Sequence, residues 1–186
     1  MKNITAILAV LMLIFAGLAC SSDETDKANG LVDEANKFIK EANTAVDQAE
    51  SKGKEFDRMV GAIETEDDFK KATDFGNKEL IPAYDKMKDN FSKAGEKFEA
   101  AGKLKVNDKF KEYLEAKAAE MKKRAEYAEV YKGIPKALAD SKGKSDYKEA
   151  LQKILDKAQG LQKEAKDLDE KATKIQKDNP NVMKQN

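Results

Sequence analysis

The chain has no histidine, no tryptophan, a single cysteine and three prolines among its 186 residues. Each scarcity removes a class of chemistry. Without histidine, and with one cysteine, Ser-His-Asp and Cys-His nucleophile systems, histidine-ligated zinc or di-iron sites and C-x-x-C-H haem attachment cannot be assembled. A lone cysteine forms no intrachain disulfide, so an oxidising compartment is tolerated but not used. Arginine is scarce too: Arg58 and Arg124 are the two planar guanidinium forks among cations that are otherwise lysines. Nor is there an excess of either charge. Lys+Arg and Asp+Glu are equal at 35 each, a balance that argues against nucleic acid as a partner.

Long apolar runs are also absent, with one exception at the start. Lys2 precedes an uncharged, largely apolar run from Ile4 to Leu18, which closes in the small residues Gly17 and Ala19 before Cys20. Ser21, Ser22, Asp23 and Glu24 then turn abruptly polar. The run is too short and wrongly flanked for a stable membrane span, and reads as an export signal. With Leu18, Ala19 and Cys20, this end resembles the lipobox of bacterial lipoproteins, Gly17 standing where that family favours a branched aliphatic residue. The resemblance covers about twenty residues. It implies that the Cys20 thiol is diacylated, that the signal is cut before it, and that the new amino terminus is acylated as well. An ordinary secretory signal cut after Ala19 would leave a free thiol; a lone cysteine at that boundary favours the lipid. Two or three acyl chains, at about 0.8 kcal/mol per buried methylene, hold a domain on a bilayer where one chain does not.

The expected organisation is therefore a signal over residues 1–19, a lipidated tether over 20–25, a helical domain over 26–178 and a C-terminal tail over 179–186. Only Lys2 leaves with the signal, so the mature chain carries 34 cations against 35 anions, one net negative charge. The domain lies outside the cytoplasm on a bacterial cell membrane. Where the source has an outer membrane, Ser21 rather than Asp after the cysteine resembles the pattern sent onward to it.

A charged fraction of 38% would also suit disorder, and only the patterning separates the two. From Asp26 to Ile63 apolar residues recur at Leu31, Ala35, Phe38, Ala42, Ala45, Ala49, Phe56, Met59 and Ile63. A second row, Val32, Ile39, Val46 and Val60, repeats every seven residues and is missing only at Gly53. This predicts a long amphipathic helix whose stripe is wide enough for two neighbours. Thr65 with Asp68 marks the next helix start, and Glu66 and Asp67 between them suit the dipole. That helix carries Phe69, Leu80, Tyr84, Met87, Phe91, Ala94 and Phe98, with a kink expected at Pro82. Asn107 caps a third, through Phe110, Leu114, Ala118, Met121 and Ala125, disturbed late by Gly133 and Pro135. The segment Asp140 to Asp146 reads as a loop. A fourth helix runs through Tyr147, Leu151, Ile154, Ala158, Leu161, Ala165, Leu168 and Ala172, ending before Asn179 and Pro180.

Four such helices with short connections predict an all-α, elongated, antiparallel up-down-up-down four-helix bundle, coiled-coil-like and roughly 50 Å long. In that topology the first and fourth helices are neighbours, and an alanine ladder is expected between them: Ala35 with Ala172, Ala42 with Ala165, Ala49 with Ala158. The fourth helix, poorer in apolar residues, should be the first to detach. The turns near Thr65 and near Lys142 to Lys144 should form the tip, with the Gly102 turn and the tail at the membrane end. The distal half, holding Pro82 and Pro135, should be the softer one.

No site for catalysis, cofactor or metal stands out. Tyr84, Tyr113, Tyr127, Tyr131 and Tyr147 suit the edge of a helical core better than a sugar or lipid pocket. Glu64, Glu66, Asp67 and Asp68 suit helix capping better than calcium, for which the ligand spacing and turn glycine are lacking. Glycoside cleavage needs a converging pair of carboxylates, and nothing among the 35 acids singles a pair out. The ranking is a non-catalytic envelope lipoprotein acting as spacer or interaction module, then a binding protein whose bundle opens for an apolar ligand, then an enzyme built on carboxylates, Lys and Tyr. A monomer is expected, meeting the membrane through Cys20 and an envelope protein through its helical surface.

Overall fold

The computed structural model describes residues 24–141 and 144–181, and its elements follow the apolar periodicity closely. They are α1 (Thr25–Gly61), α2 (Glu66–Phe75), a π-helical turn (Gly76–Leu80), α3 (Ile81–Gly102), α4 (Asp108–Tyr131), α5 (Gly133–Asp140) and α6 (Lys144–Asp178), with no strand among the described residues. Because α2, the π turn and α3 run on without interruption and α5 continues α4, the helices make four antiparallel rods.

Local chemistry sets the rod ends. Thr65 closes a capping box: its Oγ1 accepts from the Asp68 amide at 3.2 Å, and Asp68 Oδ2 accepts from the Thr65 amide at 3.1 Å. Asn107 Oδ1 accepts from the Lys109 amide at 2.8 Å. The first rod begins differently. Glu24 donates its amide to the Lys105 carbonyl at 2.8 Å and accepts the Lys105 amide on Oε2 at 3.1 Å, which clasps the entry of α1 to the α3–α4 connection.

Pro82 does not break the second rod. Its missing amide and bulky ring conflict with a regular turn, and the π turn immediately before it widens the helix there while Leu80 and Ile81 keep right-handed helical backbone angles. The third rod yields at Lys132, between α4 and α5. These two irregularities meet. Pro135 packs onto Gly76, where an added Cβ would stand 2.7 Å from the proline Cβ and 2.9 Å from Phe56 Cε2. Around them Phe56, Leu80, Ile134 and Leu138 are buried, so this end of the bundle is closed by α2, the π turn and α5 together.

Packing runs in series: α1 lies along α3, α3 along α4, and α4 along α6. Interhelical ion pairs keep the register. Lys97 pairs with Glu34 and Lys52 with Glu79 between the first two rods; Lys88 with Glu129 and Lys132 with Asp85 join the second and third; Lys123 with Glu164 and Lys117 with Asp169 join α4 to α6. The main core sets the alanines of α1 (Ala28, Ala35, Ala42, Ala45, Ala49) beside Met87, Phe91, Phe98, Phe110, Leu114 and Met121. Burying each of the large side chains stabilises by about 1.5–3 kcal/mol. Ala158, Leu161, Ala165 and Ala172 of α6 are buried as well, but outside that contiguous cluster.

The expected alanine ladder between the first and fourth rods does not form. No helix-long seam joins α1 to α6; the alanines of α1 serve α3 and those of α6 serve α4, leaving the side between the outer rods unsealed. The wide stripe of α1 is filled by α3 along its length and by α2 and the π turn at its C-terminal end. Periodicity identifies the small-residue face of a helix but not the neighbour that fills it.

Two glycines test this packing in opposite directions. Gly76→Ala drives a methyl into a rigid proline ring and should lower stability by about 1–3 kcal/mol. Gly160→Ala, in α6 with nothing within 4 Å of the added carbon, should raise it by about 0.5–1 kcal/mol through helix propensity. Urea unfolding followed by circular dichroism measures both; a neutral Gly76→Ala would show that the two irregular turns do not bear on each other.

Candidate functional site

Cys20, the residue that the sequence singles out for lipidation, lies outside the described residues. Two clusters stand out among those that are described.

The first gathers tyrosines from three rods. Tyr84 of α3 and Tyr131 of α4 have ring centroids 5.5 Å apart, and Tyr127, one turn before Tyr131, lies 4.6 Å from it. Tyr84 and Tyr147 are buried and the other two half-buried. Burial, with the neighbouring phenols and the charges of α1 behind it, pushes the phenols of Tyr84 and Tyr127 far above their ordinary value, and burial together with the charge of Asp57 pushes Tyr147 up to about 12. These three hydroxyls therefore stay protonated at neutral pH, which removes phenolate chemistry from them. Burial likewise holds the carboxyl of Asp57 above its ordinary range. Tyr113 is not part of this group. It stacks on Phe110 with centroids 6.3 Å apart, beside Lys117.

The second cluster is ionic and sits in the α4–α6 seam. Glu120 is 1% exposed, yet its side chain is fully engaged: Lys117 Nζ and Arg124 Nε both donate to its carboxylate, the latter at 2.7 Å. Lys117 also reaches Asp169 of α6 at 3.1 Å. Burial alone would lower the pKa of Lys117, but the charge and hydrogen bond of Glu120, aided by Tyr113 and Asp169, outweigh it and leave the ammonium raised. Arg124 lies over the Phe91 ring at 5.8 Å, tying the ionic group to the core. Helical periodicity missed Glu120, because a carboxylate flanked by a Lys three residues before and an Arg four after looks like a solvated face. The usable signal was Arg124 itself, one of two arginines in a lysine-rich chain.

The acid run near Thr65 is absorbed by helix capping: Asp68 closes the capping box and Asp67 pairs with Lys71. Among the described residues no group of three or more potential metal ligands converges. Two surface depressions, of ≈ 310 Å³ along α6 by Thr173 and of ≈ 330 Å³ between α3 and α4 over Gly95 and Ala118, are open grooves with charged rims.

Replacing Glu120 by Gln strips the buried ammonium of Lys117 of its nearest counter-charge and should cost about 3–5 kcal/mol. The double change Lys117→Met with Glu120→Leu should recover most of that loss, and its failure to do so would mean that the ionic group is not the cause. Alkali supplies a second test. Tyr84, Tyr113, Tyr127, Tyr147 and Lys117 all hold their protons more tightly folded than unfolded. Their contribution is thus complete below about pH 10 and is lost as pH rises toward and past 12. Urea midpoints should fall steeply over that window, with the phenolate absorbance of these four tyrosines appearing together with unfolding rather than before it.

No protein-family model matches this chain, and no curated protein or solved structure matches it either.

Proposed function

We propose that this is a non-catalytic lipoprotein of the bacterial cell envelope, anchored by acyl chains on Cys20, whose bundle serves as a spacer or interaction module. The amino-terminal twenty residues carry the reading, through their short uncharged run and the Leu18-Ala19-Cys20 boundary. The clasp of Glu24 on Lys105 supports it. Glu24 is four chain steps from Cys20, a reach of at most about 14 Å at 3.3–3.6 Å per residue. An anchor at Cys20 would accordingly hold the bundle by the end that carries the α3–α4 connection and the C-terminus of α6. The tip, where α2, α5 and the start of α6 gather, would face away from the lipid, and an envelope protein partner would meet the tip or the rod flanks. Among the described residues no helix is long and apolar enough to cross a membrane, which is compatible with lipid as the attachment. If the source has an outer membrane, Ser21 favours that membrane as the destination. An opening bundle that takes an apolar ligand is the second reading, which the unsealed side between α1 and α6 favours.

Cys20→Ala should abolish incorporation of labelled palmitate and either leave the signal uncut or release the protein from membranes. A globomycin-type inhibitor of lipoprotein processing should make the precursor accumulate. Unchanged migration and unchanged membrane association in both tests would sink the anchoring claim.

A further inference from the structure

The two ends of the bundle differ in charge. In the run Lys103-Leu104-Lys105-Val106 of the α3–α4 connection, Leu104 and Val106 pack against the core while both lysines are exposed. Lys111, at the start of α4, is exposed as well. Helix α6 brings a fourth cation to this end. Lys117 stands nine residues after Asp108, the start of α4, and its partner Asp169 nine before Asp178, the end of α6. That ion pair sets the last turn of α6, with its exposed Lys177, level with the first turn of α4. The acids here are mostly engaged: Glu24 holds the Lys105 backbone and pairs with Lys27, Glu112 pairs with Lys109, and Asp178 with Lys174. Asp26 and Asp108 each lie in the first turn of a helix, where the dipole offsets their charge. Among the described residues Lys103, Lys105, Lys111 and Lys177 have no ion pair. The opposite end instead carries Glu64, Glu66, Asp67 and Asp68.

We propose that the basic end is a docking surface for anionic phospholipid headgroups, engaged through Lys103, Lys105, Lys111 and Lys177. The proposal rests on the anchoring at Cys20 and names the lipid chemistry that the anchored end meets. The clasp of Glu24 holds the Lys105 backbone beside the point where the chain leaves for Cys20, four steps away, so these lysines stay close to the surface in which acyl chains would sit. All four cations are lysines, and an ammonium is a point charge that needs no fixed fork of acceptors, which a fluid layer of phosphates does not offer. With Leu104 and Val106 turned inward, the connection presents charge rather than apolar surface. The attraction is electrostatic and acts within a Debye length of a negatively charged leaflet.

The mature lipidated chain is reconstituted into vesicles of phosphatidylcholine alone or mixed equally with phosphatidylglycerol. Its lysines are acylated with a membrane-impermeant reagent and read one by one by mass spectrometry. Rates at the four lysines are taken relative to Lys70 and Lys148, exposed lysines toward the tip. They should fall at least about threefold in the anionic vesicles and recover in about 1 M salt, where the Debye length is about 3 Å. Lys109, exposed at the same end, should be shielded in the parent and return to the tip rate when Lys103, Lys105, Lys111 and Lys177 are all changed to Gln. Flotation on phosphatidylcholine vesicles reads the anchor separately. A chain lost from them defeats the anchoring and this proposal with it. A retained chain overturns this proposal alone if its rates are equal in the two vesicle types, if the shielding survives high salt, or if Lys109 stays shielded in the variant.

Discussion

Alanine against aromatic is the contact on which this bundle depends. A chain with 38% charged residues and only eight phenylalanines has little large apolar surface to bury, and brings its helices together by making one side of the seam small. Ala35, Ala42 and Ala45 have no exposed surface, and Phe91 and Phe98 of the neighbouring rod almost none. Close approach lets backbone as well as side chain exclude water, and each aromatic then meets several atoms at contact distance instead of a void. Register matters more in such a seam than in one of leucines, because large side chains must meet small ones along its whole length. The interhelical pairs Lys97–Glu34 and Lys52–Glu79 flank the seam and penalise a shift of register.

The rods were legible in the sequence because a period of 3.6 repeats over thirty or more residues, and because their ends use side chains with local jobs. Thr65, Asp68 and Asn107 act within four residues of themselves, so their roles need no tertiary context. The neighbour relations were not legible. An alanine row is the same whether it faces α3 or α6, and the assignment of Ala42 to Ala165 failed on that ambiguity. The kink expected at Pro82 emerged as a π turn, since a wider helix accommodates the ring while the rod continues. Pro82 and Pro135 looked like two separate weaknesses; in space the π turn preceding one lies under the other, through Gly76. Glu120 shows the opposite failure, a residue whose type says surface and whose position says core.

Glu120 also shows what a buried charge contributes in a helix that has two occupied faces. Helix α4 meets α3 on one side and α6 on the other, with Phe110, Leu114 and Met121 packed in the main core and Ala116 and Glu120 buried outside it. Apolar residues at positions 117 and 120 together would bury surface just as well, so the ionic group as a whole is not required for stability. It does discriminate. Lys117 and Asp169 match at one register of α6 only, whereas a stripe of alanines would accept several.

The clasp between Glu24 and Lys105 has a mechanical meaning. Where the amino end is held at a surface, a rod about 50 Å long mounted through so short a neck is a lever, and any sideways load at its tip is multiplied at the mount. Two hydrogen bonds are the weakest fastening between that load and the helical core. The junction would therefore let go first, changing an upright strut into one that pivots while its helices stay intact.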